Sequence, residues 1–355
     1  MRAATEEYPL KRLKLGMDVG IDLGSNTVKI FTGDRQIALT EPTMVAVDRD
    51  TDEILAFGSE ARQMLGRTPE RIAVVSPVQH GRIHNFALTE TMLTAYVREV
   101  CGNRIFMPRV VVCVPSGVSE VEKREVVESL RAAGARKVCL IETVVAAALG
   151  AGLDISQPRG CMVCDIGGGT TDIGVISING TAASNWINYA GNSFNDALAE
   201  FIASKHDLVI GPQTTELIKR EIGCVIPREA ILTVTVKGRH FKTGMPHMIT
   251  INSEELMEAF EEPAVRICRA VQHTLEETPP ALAGDLLTNG GIMLTGGGAR
   301  LYGMDRLIAE RTKLNVAVAQ DPELCVALGT GKAIKYIDTR DKFEKETSPL
   351  DVFGA

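Results

Sequence analysis

Apolar and polar positions along the chain change period repeatedly, and each change marks an element. Val19 to Phe31 reads as a strand, a glycine-containing turn and a second strand. Arg109 to Val114 is an apolar run stopped by Pro115, which predicts a buried strand. Ser119 to Ala133 then places Val121, Val126, Val127 and Leu130 at helical spacing and ends at Gly134, a residue suited to a helix C-cap. Lys137 to Ile141 predicts a strand and Thr143 to Gly150 an alanine-rich helix. Gly160 to Ile178 repeats the strand-turn-strand pattern, Ser193 to His206 and Thr214 to Ile222 are helical, and Leu232 to Val236 is a strand. Ser253 to Thr278 predicts a long amphipathic helix that Pro279-Pro280 ends, and a further helix begins near Met304. Alternation of this kind predicts an α/β fold of sheets flanked by helices.

The pattern also repeats itself. Gly20-Ile-Asp22-Leu-Gly24-Ser-Asn-Thr27 recurs as Val163-Cys-Asp165-Ile-Gly167-Gly-Gly-Thr170, which predicts a protein of two halves with a matching turn in each. Short side chains let backbone N–H groups approach a phosphate, and successive N–H groups in a tight turn form an anion nest. Two such turns facing one another would grip a polyphosphate. Asp22 and Asp165, at the two strand ends, suit a hydrated Mg²⁺, which binds through few carboxylates plus waters and phosphate oxygens. A third cluster, Gly296, Gly297, Gly298 and Ala299, follows a short apolar strand and would admit a flat base against backbone. Glu216 and Lys219 lie three apart on one helix face, where they would hold one edge of a ligand or form a solvated pair.

Charge and composition narrow the function. With 38 basic and 45 acidic residues the net charge is −7, which supplies no field for nucleic acid. The longest strongly apolar stretch, Thr143 to Leu153, is well short of the ~20 residues of a spanning helix. The charged N-terminus lacks the layout of a signal peptide, so a cytoplasmic location is expected. The eight cysteines read as buried thiols; Cys161-x-x-Cys164 sits in a strand-like run with no second pair nearby.

Together these motifs resemble the actin, sugar-kinase and heat-shock-chaperone ATPase superfamily, and within it the MreB/Mbl family of bacterial actins. The likeness rests on Val114 to Glu122, Ala146 to Leu153, Asp165-Ile-Gly-Gly-Gly-Thr-Thr-Asp-Ile173, Leu275 to Leu282, Gly291 to Ala299 and Asp321 to Lys332. It implies an actin-like fold of two duplicated domains, each a central mixed sheet flanked by helices, with smaller inserted subdomains. Residues 1–32, 73–145 and 315–340 would form subdomain IA and 33–72 subdomain IB. Residues 146–177 and 247–314 would form subdomain IIA, 178–246 subdomain IIB, and 341–355 a C-terminal tail. ATP with Mg²⁺ would lie between the halves, with Asn26, Thr27, Val28 and Lys29 and Gly167, Gly168, Gly169 and Thr170 on the phosphates. Glu216, Leu217, Ile218 and Lys219 would serve ribose and base, and Gly296 to Ala299 the adenosine side. The chain departs from the family pattern at Lys29, where an apolar residue is usual, and at Asn192 and Asn195, which replace aspartates. The family also has Glu-Pro entering the alanine-rich helix, the glutamate positioning the attacking water. Here Thr143 and Val144 occupy those places, with Glu142 adjacent and Thr170 as a second holder of the water. Slow hydrolysis is the expectation.

Ile105, Phe106 and Met107 match the family's short hydrophobic insertion loop, and Leu10 to Leu15 would add a weak basic lipid contact. A monomer would bind lipid marginally, since each buried side chain contributes at most roughly 1.5–3 kcal/mol, and a polymer would bind by avidity. The reading is therefore a cell shape-determining protein forming homopolymer filaments, peripheral on the inner membrane surface, that organise the cell-wall elongation machinery. The alternatives are a chaperone-type ATPase, which would need a substrate domain after residue 340, a metabolite kinase, for which no acidic base stands out, and a specialised paralogue without a shape role.

Overall fold

Elements form where the pattern changes period, in a computed structural model that describes residues 17–102 and 107–337. The first half begins β1 (Asp18–Leu23), β2 (Thr27–Thr32), β3 (Gln36–Pro42), β4 (Val45–Asp48), β5 (Ile54–Phe57), α1 (Gly58–Met64) and β6 (Ile72–Val75). A short hairpin, β7 (Val78–Gln79) and β8 (Arg82–Ile83), leads to α2 (Phe86–Cys101), β9 (Arg109–Val114), α3 (Glu120–Ala132), β10 (Lys137–Glu142) and α4 (Thr143–Gly150). The second half runs β11 (Cys161–Ile166), β12 (Thr171–Ser177), β13 (Gly180–Ile187), α5 (Gly191–His206), β14 (Leu208–Val209) and α6 (Pro212–Ile222). There follow β15 (Thr233–His240), β16 (Pro246–Asn252), α7 (Ser253–Glu277), α8 (Pro280–Asp285), β17 (Ile292–Thr295), α9 (Met304–Thr312), β18 (Val316–Val318) and α10 (Cys325–Ala333).

The duplication extends to whole sheets. One has the order β3-β2-β1-β9-β10 and the other β13-β12-β11-β17-β18. In both, two antiparallel pairings on one side give way to two parallel pairings on the other. Helices α4 and α10, each following the last strand of its sheet, cross between the halves. Gly150 faces the Cys325 carbonyl and Gly329 the Ala146 carbonyl so closely that a Cβ at either glycine would collide with backbone. Val144, Val145 and Ala146 to Ala148 of α4 join Val326 and Ala333 of α10 in a core between the sheets. Each half has its own core besides, around Ile21, Ile30 and Val112 in the first and around Phe194, Phe260 and Ile267 in the second.

Local signals set several boundaries. Ser119 and Glu122 form a reciprocal capping box at the start of α3. Asn252 Oδ1 accepts from the N–H groups of Glu254 and Glu255 to start α7. The resemblance implies inserted units at 33–72 and 178–246; the strands opening those spans, β3 and β13, hydrogen-bond into the large sheets. The small sheets are β5-β4-β6 and β14-β15-β16, and β18, from the 315–340 span, pairs with β17 of the second half. Strand β15 extends to His240, past the expected end at Val236, because its hairpin with β16 continues to the Arg239–Pro246 pair.

Candidate functional site

The two turns of the repeat line a cleft of about 860 Å³ between the halves. Gly24 N–H donates to Thr27 O at 3.2 Å and Gly167 N–H to Thr170 O at 2.9 Å, so the same backbone closure shapes both turns. The turns are joined by side chains: Asn26 Nδ2 donates to Asn192 Oδ1 at 2.8 Å, and Asn192 Nδ2 to Asn26 Oδ1 at 2.9 Å. Gly168 leaves the space in which the Asn26 side chain lies. A further tie across the halves runs from Gln213 Nε2 to Arg62 O at 2.9 Å.

The register of the two hairpins fixes the charges on the cleft floor. Asp22 stands opposite Lys29, and Asp165 opposite Asp172. Lys29 Nζ lies 2.9 Å from Asp22 Oδ2, both side chains largely buried. Burial alone would lower the Lys29 ammonium; attraction to Asp22 outweighs it and holds the pKa above its ordinary value. Asp165 accepts from Thr295 Oγ1 at 2.6 Å. Burial pushes its carboxyl to about 6 against that hydrogen bond, with the Asp22 charge adding to the rise. Burial, then the Asp165 charge, pushes Asp172 to about 7 despite hydrogen bonds from Thr170 and the Ser116 backbone. Asp172 Oδ1 is buried without a hydrogen-bond partner.

Three carboxylates against one lysine, with an orphaned oxygen among them, fit a divalent cation. Among the described residues no group of three His, Cys, Asp or Glu forms a protein-only cage, so the fit is to Mg²⁺ held by one or two carboxylates, water and phosphate. On the opposite side of the cleft Lys219 Nζ lies 2.7 Å from Glu216 Oε2 and donates to Gly191 O at 2.9 Å. Burial lowers the Lys219 pKa in spite of that pairing. Asn195 Nδ2 donates to Glu216 Oε2 at 2.9 Å, and Arg300 grips Glu323 with two hydrogen bonds of 2.7 and 3.0 Å at the rim.

Of the residues singled out from sequence, Asp22, Asn26, Thr27, Lys29, Thr143, Asp165, Gly167 to Thr170, Glu216, Lys219 and Gly296 to Gly298 line the cleft. Val28, Leu217, Ile218, Ala299 and Glu142 do not. Val28 alternates away from Thr27 and Lys29 into the first core. Ile218 is buried in the second core while Leu217 is half exposed on the outside of α6, as ~100° per helical residue requires. Ala299 follows the turn into the core. Thr143 and Glu142 part in the same way. Thr143 faces the cleft; Glu142 accepts from Ser116 Oγ at 3.4 Å and Thr181 Oγ1 at 2.8 Å, linking β10 to both halves. Burial raises the Glu142 pKa against those hydrogen bonds.

Asp172, Arg300 and Glu323 also line the cleft, and Thr295 donates to its Asp165. Counting the hairpin register outward from the turn places Asp172 opposite Asp165; nothing in sequence pairs Arg300 with Glu323 or Asn26 with Asn192. Ile105, Phe106 and the Leu10 to Leu15 segment lie outside the described residues, whereas Met107 is 56% exposed. Among the described residues no helix is long and apolar enough to cross a membrane. The eight cysteines are thiols, and all but Cys139 are buried.

Residues 16–342 fit the family model described as MreB/Mbl protein. The cell shape-determining protein MreB of Escherichia coli (strain K12) is 43% identical over 337 residues, 93% of this chain and 97% of that protein. The cell shape-determining protein Mbl of Bacillus subtilis (strain 168) is 40% identical over 329 residues, 92% and 98% of the two chains. The crystal structure of MreB 5 of Spiroplasma citri bound to AMPPNP superposes with a TM-score of 0.88 at 31% identity, over 93% of this chain and 99% of that one. A MamK double helical filament structure, 19% identical with a TM-score of 0.77, shares the fold over 90% of this chain and 99% of that one. The fold is actin-like, and the chain belongs to the MreB/Mbl family.

Proposed function

We propose that the protein binds Mg·ATP in this cleft and assembles into filaments that determine cell shape from the inner face of the cell membrane, where they organise the wall-elongation machinery. The observation that carries this reading is the pair of phosphate turns facing one another across a cleft that holds three carboxylates, in a chain collinear with cell shape-determining relatives. Gly167 to Gly169 and the Asn26 turn present N–H groups to the phosphates, Lys219 and Glu216 hold the ribose edge, and Gly296 to Gly298 receive the base. Asp165, with Asp22 nearby, would hold Mg²⁺, which would supply neutralising charge to the polyphosphate. Thr143 and Thr170 hold the attacking water by hydroxyls alone, and neither is a base at neutral pH, so turnover is slow and the ATP-bound filament long-lived.

Self-assembly is supported by apolar side chains that the small second sheet leaves in solvent, including Phe241, Met245 and Met248 around the β15–β16 hairpin. Contacts between such a surface and a different surface of the next copy are heterologous and build open filaments. Ile105, Phe106 and Met107 supply the lipid contact. The test is electron microscopy of purified protein with ATP, Mg²⁺ and vesicles containing anionic lipid. Filaments on the vesicles with ATP, and none with adenosine, are expected; monomeric protein under both conditions overturns the reading. Replacing Ile105 and Phe106 together by Ser should leave polymer in solution and remove it from the vesicles.

A further inference from the structure

We infer that Asn192 is a positioning residue for nucleotide, acting through Asn26 as a clasp that joins the two phosphate turns and slows release of the bound polyphosphate. The inference rests on the nucleotide reading of the cleft. Asn192 is itself fixed to the second turn, because its backbone N–H donates to Gly168 O at 2.8 Å and the Gly191 N–H to Gly167 O at 3.0 Å. Its side chain therefore reaches the first turn from a rigid base and exchanges two hydrogen bonds with Asn26.

The chemistry of the pair is directional. A primary amide carries one acceptor oxygen and two N–H donors. Reciprocal pairing engages both oxygens and leaves one N–H on each nitrogen. Two amphoteric side chains thus become a neutral unit that keeps one N–H donor on each nitrogen, which suits an anion. A carboxylate at position 192 would accept from Asn26 but could not donate back, and it would place a negative charge beside the polyphosphate. Because the pair spans the halves, a nucleotide held by both turns leaves only when the halves separate and both hydrogen bonds break.

Release of a ribose-labelled fluorescent ATP, chased with unlabelled ATP in the presence of Mg²⁺, tests this in four proteins: wild type, Asn192→Ala, Asn26→Ala and the double variant. Two partly exposed neutral hydrogen bonds should slow release roughly three- to tenfold, so Asn192→Ala should speed it by that factor. In the Asn26→Ala background, Asn192→Ala should change nothing further, since Asn192 acts through Asn26. Adenosine affinity and the thermal midpoint should stay at wild-type values, and Asn192→Asp should not restore slow release. Wild type that binds ATP, with Asn192→Ala releasing it at the same rate or adding its full effect to Asn26→Ala, overturns the clasp alone. A wild type that binds no ATP overturns the site reading itself, and the clasp with it.

Discussion

The two halves share a backbone but not a charge pattern. In both, a strand ending in aspartate turns back through a tight hairpin, and the residue opposite that aspartate is set by the same register. In the first half the opposite residue is Lys29 and the aspartate is neutralised in place. In the second it is Asp172, and two buried carboxyls face one another with pKa values pushed to about 6 and about 7. Duplication therefore gives two matching turns, which on the proposed function would grip phosphate symmetrically, while one cross-strand difference gives the cleft floor a polar axis. The first hairpin sets a lysine against its aspartate, whereas the second sets a carboxyl there. On the proposed function a cation would fall on the Asp165 side, and the two aspartates would be unequal despite their matching positions.

The largest expected effect breaks this inequality. Asp165→Ala removes the carboxylate that has no lysine opposite it and should weaken Mg·ATP on the order of 100-fold, the upper range for loss of metal-supporting groups. Asp22→Ala also removes a charge, but it releases the Lys29 ammonium toward the phosphates, and the two changes offset; the loss should stay under about tenfold. Calorimetry with and without Mg²⁺ separates the cases, because the gap between the variants should close when the cation is chelated. Equal losses in Mg²⁺ would mean that the charge asymmetry has no part in binding.

The next effect concerns turnover. Thr143 faces the cleft and Glu142, one residue back, is turned aside onto Ser116 and Thr181. Restoring a carboxylate by Thr143→Glu should raise single-turnover phosphate release about tenfold, part of the ~10²–10⁴ that a well-aimed general base contributes. Val144 in place of a proline leaves the new side chain less well directed. Glu142→Ala should keep the slow rate, because its hydrogen bonds tie elements together instead of reaching the cleft. A rate abolished by Glu142→Ala would make Glu142 the group that holds the water.

These contrasts show what was legible in the sequence. The hairpins, strand β9 and helix α4 were readable because each is local: a period, a turn and a stop lie within a few residues. The repeat exposed both phosphate turns for the same reason. The small strands β4, β5 and β6 were not, since they are only four residues long and their stability comes from pairing across the sheet. Within the site, sequence runs named every residue of a segment, whereas strand and helix periods aim only alternate ones inward, which removed Val28, Leu217, Ile218 and Ala299. The Asn26–Asn192 pair depends on how two halves meet, and no local pattern encodes that.

Asp172 yields a pH effect with a definite sign. Its folded pKa of about 7 lies above the ordinary 3.8, so between those values the folded chain holds more proton than the unfolded one. Stability must therefore fall as pH rises from about 4 to about 7, by a slope of at most ~1.4 kcal/mol per pH unit from this group, and stay reduced above. Asp172→Asn carries no titrating proton and should flatten that slope. Denaturant midpoints measured across the window without Mg²⁺ report it directly; a variant with the wild-type slope would place the titration elsewhere.

The smallest effect is expected at Lys29, and its smallness is the point. Were its ammonium free it would bind phosphate directly; paired at 2.9 Å with Asp22, it spends most of its charge there. Lys29→Ala uncovers Asp22 and leaves the first half, like the second, with an unneutralised carboxylate. Triphosphate should bind about two- to fivefold more weakly in excess Mg²⁺, the scale of a partly screened charge pair, because Asp22 then gains the cation as a substitute partner. Chelating Mg²⁺ removes that substitute, so the loss should grow, while adenosine, with no phosphate, should bind as before. Adding Asp22→Ala to Lys29→Ala should recover most of the triphosphate affinity, since the pair leaves together. Equal losses for triphosphate and adenosine would make Lys29 a packing residue, and the contrast between the halves would then rest on Asp172 alone.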